Sequence, residues 1–155
     1  MKFSTKEDID APIDSVFDMT TDFESFERSA MRRGASVRRV DALRTPGVGM
    51  EWDAEFAMRG RRRRLEIKLT DYDPEQGVSA TAVSPGLLGH FDVELIALSR
   101  TRTRMAVELE IKPQNLSARL FVQSLRLAKA NLTKRFKMRV AEYAKMMENQ
   151  AQKRV

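Results

Sequence analysis

Cysteine is absent from the 155 residues, so neither a disulfide framework nor a thiolate metal site is available. Histidine is reduced to His90 alone. A metal there would have to take every other protein ligand from Asp and Glu, and no such cluster converges with it. Its parity with Asp92 and Glu94, opposite Phe91 and Val93, turns it outward. Long apolar runs are missing as well. Nothing approaches the ~18 apolar residues of a membrane span, and MKFSTKEDID lacks the apolar core of a signal peptide. A soluble, cytoplasmic protein is the expectation. No glycine-rich phosphate loop, nucleophile elbow or paired-carboxylate motif occurs, so no cofactor is expected. Repeats, low-complexity tracts and long linkers are also lacking. At this length the chain reads as one domain of residues 1–150, with an end that frays from Asn149 and a tail at 151–155.

What the chain does contain is dominated by its end. After Pro113 no Gly or Pro occurs. Phe121, Leu125, Ala128, Leu132, Phe136, Val140, Tyr143 and Met147 recur at steps of three or four, the stripe of a 3.6-residue helix. One helix from about Pro113 to Glu148 is predicted, capped at Asn115 or Ser117. Thirty such residues span about 45 Å and cannot bury that stripe against themselves.

Strands supply the partner surface. Residues 2–10 alternate weakly, and Ala11-Pro12 ends that strand, with Pro12 suited to the first position of a helix. Ile13, Val16, Phe17 and Met19 make one short helix. Phe23, Phe26 and Met31 make another, capped at Thr21 or Asp22 and stopped at Gly34. Period-two patterning then marks strands at 35–42, 48–58, 61–72, 77–84, 89–98 and 102–112. Between the second and third of these, Arg59-Gly60 reads as a two-residue hairpin turn. It sets a register: Met58 opposite Arg61, Glu55 opposite Arg64, Trp52 opposite Ile67, Glu51 opposite Lys68. The apolar faces then coincide and two opposite-charge pairs align outside. Asp53 opposite Glu66 is a like-charge misfit.

The sum is an α+β chain: a curved seven-stranded antiparallel sheet around a long C-terminal helix, with two short helices after the first strand. In that order, with Ile9-Asp10-Ala11-Pro12 leading into Val16-Phe17 and then Asp22-Phe23, the chain resembles the START-related, birch-pollen-allergen-like helix-grip superfamily. That superfamily is often described as polyketide cyclase/dehydrase and lipid-transport proteins. The resemblance covers nearly the whole chain, although Arg28-Ser29-Ala30-Met31 stands where many relatives place a Trp. It implies a ligand cavity between sheet and long helix. Inward positions rich in Met and aromatics would line it: Met50, Trp52, Phe56, Met58, Phe91, Met105, Leu125, Leu132 and Phe136. Phe26, with Phe23 and Met31, would sit at the mouth. Methionine adapts to irregular guests, but the same residues would equally fill a solid core.

Two features remain. The run Arg59, Arg61, Arg62, Arg63, Arg64 reads first as a solvated hairpin tip partly neutralised by Glu55. Its parity offers a second reading, in which Arg61 and Arg63 follow the inward face to its rim and meet an anionic head group there. Nucleic acid is a poorer partner for these arginines, because no aromatic interleaves the run to stack bases. Leu116, Leu120 and Leu127 fall opposite the main stripe of the last helix. They would pack under a loop such as Leu87-Leu88, or form a patch for a homodimer, a membrane or a lipid. The function expected is binding of a hydrophobic or amphipathic small molecule, such as a lipid, polyketide or quinone-like compound. The alternatives are a metal-free cyclase/dehydrase-type enzyme and an RNA- or ribosome-contacting domain.

Overall fold

In the computed structural model, which describes residues 1–153, Arg59 and Gly60 both have positive φ, 52° and 75°. That is the type I′ backbone whose twist matches paired strands. The strands it joins, β3 (Glu51–Met58) and β4 (Arg61–Asp73), pair in the register set by the turn, from Met58 opposite Arg61 to Glu51 opposite Lys68. Lys68 Nζ lies 3.2 Å from Glu51, and Arg62 and Arg64 both reach Glu55, at 3.2 and 3.8 Å. The Asp53–Glu66 misfit is relieved from the other side, by Arg38 at 3.6 Å from Asp53.

The remaining strands are β1 (Lys2–Ile9), β2 (Ser36–Arg39), β5 (Gly77–Ser84), β6 (Leu87–Ser99) and β7 (Arg102–Pro113). All pair antiparallel in one seven-stranded sheet of order β1-β7-β6-β5-β4-β3-β2. Register shifts at Leu69/Asp71 in β4 and Ala97/Ser99 in β6 add the twist that curves it. Gly77, at φ 152°, lies so close to β6 that a Cβ would overlap the Val93 carbonyl, so only glycine fits there. The helix-grip architecture expected from the sequence is the one found.

Helices α1 (Ile13–Thr20) and α2 (Phe23–Arg32) follow β1. Pro12 takes the N-cap of α1 rather than its first turn, with an extended ψ of 151°. Asp22 caps α2 by accepting from the Ser25 N–H, and Gly34 ends it at φ 92°.

The single long C-terminal helix is corrected to two: α3 (Leu116–Arg126), capped by Asn115 accepting from Ala118 N–H, and α4 (Lys129–Lys153). At the break the Ala128 N–H turns to the Leu125 carbonyl, three residues back, the tightened bond of a closing helix end. No Gly or Pro forces this. Each helix buries its own stripe, Ala118 and Val122 in α3 and Val140, Ala144, Met147 and Ala151 in α4, against parts of a curved sheet that no straight rod follows. The expectation of fraying from Asn149 is likewise corrected. Helix α4 continues to Lys153 and Ala151 is buried in the core, while residues 154 and 155 of the expected tail lie outside the described residues.

The core gathers where α1 and the second half of α4 meet β1, β6 and β7. Ile9, Val16, Met105 and Met147 are almost fully buried there, and Thr103 satisfies its hydroxyl on the Ala11 carbonyl at 2.8 Å.

Candidate functional site

Helix α4 lies over β1, at one edge of the sheet, and α2 lies over β2, at the other edge. Helix α1 covers parts of β6 and β7 and α3 part of β7, but between α2 and α4 the inward side chains of β3 to β7 face open space. The result is a cavity of about 510 Å³ over the concave face. Phe91, inward on β6 near the middle of the sheet, is 39% exposed, which a solid core would not allow.

The floor follows strand parity. Trp52, Ile67, Leu69, Val78, Ala80, Phe91, Val93, Met105 and Val107 come from β3 through β7, and small Ala80 leaves room where Phe91 faces it across the ladder. The walls are Phe23, Phe26 and Ala30 of α2 and Phe136, Val140 and Tyr143 of α4. Three aromatic contacts hold these walls. Phe23 packs on Trp52 with centroids 5.3 Å apart, Phe136 on Phe3 of β1 at 5.8 Å, and Phe26 meets Tyr143 at 5.5 Å. The last pair joins α2 to α4 over the cavity.

Polar groups are few. Glu27 Oε1 accepts the Trp52 indole N–H at 2.9 Å, and both residues line the space. Arg139 of α4 supplies its cation. The Tyr143 hydroxyl donates to the Met19 carbonyl at 3.0 Å. Burial, with the nearby charge of Asp22, holds its phenol well above the ordinary tyrosine range. The Ser79 hydroxyl is committed to Asp92 at 2.5 Å, and the buried Thr20 hydroxyl donates to the Met147 sulfur at 3.8 Å. Behind Trp52, Asp41 ties down the segment between β2 and β3. It accepts from Arg39 at 2.8 Å and from the backbone N–H groups of Leu43 and Glu51, each at 2.9 Å. Those bonds, the Arg39 one foremost, hold its carboxyl far below the usual range. Among the described residues no group of three His, Asp or Glu side chains could hold a metal, and no helix is long and apolar enough to cross a membrane.

Of the residues expected to line the site, the cavity brings together Trp52, Phe91, Met105, Phe136 and Phe26. Met50 is buried elsewhere in the core, with its sulfur 3.5 Å from the Gly47 N–H. Phe56 lies in register with Arg63, beyond the cavity floor, and Met58 is exposed at the hairpin tip. Leu125 and Leu132 are half-buried on the stretch where the helix breaks. Arg61 and Arg63 are corrected too, because neither reaches the cavity. Arg61 is exposed at the tip, and Arg63 lies under α3 with its guanidinium 4.8 Å from the Phe121 ring centroid. Glu27 and Arg139, the charged residues of the lining, are not marked by strand parity because they sit on helices. Their signal was α2's step from Phe23 to Glu27 and α4's from Phe136 to Arg139, each one turn along an inward stripe.

Comparison with known proteins agrees with this architecture. Residues 1–145 match the model of a family described as polyketide cyclase / dehydrase and lipid transport. A search of curated proteins finds no significant match. Among solved structures, the Zhui aromatase/cyclase of Streptomyces sp. R1128 superposes with a TM-score of 0.65 at 10% identity, covering 99% of this chain and 94% of that one. A norcoclaurine synthase of Thalictrum flavum, a point mutant, gives 0.62 at 12% identity over 81% and 82%. A START superfamily protein of Mycobacterium smegmatis gives 0.56 at 11% over 86% and 95%. Identities this low speak for a shared fold.

Proposed function

The chain belongs to the polyketide cyclase / dehydrase and lipid transport family, and from that premise we propose that it holds a hydrophobic or amphipathic small molecule between the sheet and α4. One observation carries this reading, an open cavity of about 510 Å³ walled by aliphatic and aromatic side chains. That size is typical of sites for ligands of drug-like dimensions. A guest of lipid, polyketide or quinone type would lay its apolar body over Ala80, Val78 and Phe91. Its polar end would turn toward Arg139, whose fork suits a carboxylate or phosphate, or toward the Glu27–Trp52 bond.

Trp52 is the protein's only tryptophan, so its emission reports on the cavity directly. Titration with a fatty acid and with an aromatic polyketide should shift or quench that emission saturably, and native mass spectrometry of protein from its own host should find a co-purified apolar mass. Flat titrations together with an empty protein would remove the ligand-holding reading. Ala80→Phe should narrow the space and abolish the response while leaving the single-tryptophan reporter in place.

A second reading, a metal-free cyclase/dehydrase-type enzyme, draws support from Glu27. Its carboxylate lines an apolar space and is oriented by an indole N–H, the placement a proton-transferring group needs. Glu27→Gln keeps an acceptor for Trp52 but cannot take a proton. Turnover lost with ligand binding retained would favour the enzyme, and unchanged behaviour would favour the carrier.

A further inference from the structure

Helix α3 is apolar on two sides. Ala118 and Val122 are buried, with Phe121 and Leu125 half-buried beside them. On the opposite side Leu116, Leu120 and Leu127 are 73%, 60% and 91% exposed. Steps of four and seven place these leucines within about 40° of one another around the helix. They are not covered by Leu87-Leu88 or by any other described residue to a comparable degree. Arg119 and Arg126 follow one flank of the stripe. The other flank is closed by Arg59, which donates to Ser124 Oγ at 3.3 Å and stands over Phe121 at 5.4 Å. Arg61, Arg62 and the exposed Met58 sit beside it on the same hairpin tip. From Pro113 to Ala141 the chain carries seven Lys or Arg residues and no Asp or Glu.

We propose that the outer face of α3, with the β3–β4 hairpin tip, docks this protein on the surface of an anionic lipid bilayer. The leucines enter the boundary of the acyl chains and the arginines meet the lipid head groups. Three exposed leucines in line match what an interfacial helix buries, and a cationic border matches the charge of an anionic leaflet. Charge argues against the other occupants. A two-fold dimer through this face would set the patch against its own copy and bring its arginines together. An RNA surface would answer the arginines but would leave aliphatic leucines, with no stacking face, at the centre of the contact. Docking through this face does not depend on what the cavity holds.

The test uses the full chain with vesicles of phosphatidylcholine alone and of phosphatidylcholine with phosphatidylserine, read by co-sedimentation. Binding is expected to the anionic vesicles and to weaken as salt is raised. Leu116→Ser/Leu120→Ser/Leu127→Ser should lower the partition by about tenfold or more, and Arg119→Ala/Arg126→Ala by about fivefold per cation removed. Both variants change exposed side chains, so Trp52 emission should stay that of the folded protein. Three results would overturn the proposal. One is equal or absent partition on both vesicle types. Another is a leucine variant that binds like the parent. The third is a parent of dimeric mass that the leucine variant makes monomeric, or that binds RNA regardless of the leucines.

Discussion

The two ends of the helical segment after Pro113 carry the same kind of apolar periodicity and meet opposite surroundings. In the second half of α4, Val140, Ala144, Met147 and Ala151 close against α1 and β1, and Met147 has no exposed surface. Its terminal turns are also tied by polar bonds, with Glu148 accepting from the Asp10 N–H at 3.0 Å. In α3 the inner stripe is smaller, Ala118 and Val122, and large leucines face outward. Helical spacing therefore tells which residues share a face, while the number of faces that find a partner depends on what the sheet offers beneath them.

The steepest way to test that contrast is to empty one end and then the other. Met147→Ala should cost about 2–5 kcal/mol, read as a fall in the urea midpoint. Leu127→Ser should stay within about 0.5 kcal/mol of the parent. Comparable losses at both positions would mean that α3 is covered as α4 is.

Overfilling separates the closed region from the hollow one. Ala144→Leu pushes methylenes into a site that is 3% exposed and should cost about 1–3 kcal/mol. Ala80→Phe adds more volume but meets the cavity, and thermal melting should show a smaller loss.

Tyr143 stands between the two regions, roofing the cavity and anchoring α2 to α4. Its folded phenol holds its proton above the ordinary tyrosine range, so the stability it confers is complete below about pH 10 and drains away as the pH rises further. The parent should lose more stability than Tyr143→Phe between neutral and strongly alkaline pH. At neutral pH the variant should lack only the bond to Met19, about 1 kcal/mol. Identical alkaline slopes would show that the phenol is not shielded.

The smallest effect lies under α3. Arg63→Ala removes a guanidinium held over Phe121, worth about 0.5–1 kcal/mol. It also removes a buried Nε without a hydrogen-bond partner, which offsets part of the loss. Chemical denaturation should show a change below about 1 kcal/mol, and a larger one would mean that Arg63 anchors α3 to the hairpin.

Much of this molecule was legible beforehand for local reasons. The Arg59-Gly60 turn admits one register, because a slip by one residue would turn Trp52 and Ile67 to solvent. Asp22, Asn115 and Gly34 mark helix ends through bonds made within a few residues. The site was less legible. Trp52, Phe91, Met105 and Phe136 could be placed inward by parity, but parity does not separate a residue facing a void from one facing a neighbour, as Met50 illustrates. Arg63 follows inward parity to its end and there meets Phe121 rather than a ligand.

The sequence by itself determined the strands, the register of the Arg59-Gly60 hairpin, the capped helices and the inward stripes, because turn geometry, caps and side-chain alternation act over a few residues. Only the tertiary structure decided that the last helix breaks after Arg126, that α2 and α4 settle over opposite edges, and that Glu27 and Arg139 share the space between them. Those outcomes depend on how a curved sheet's surface is divided among helices distant in the chain, which no short window of residues encodes.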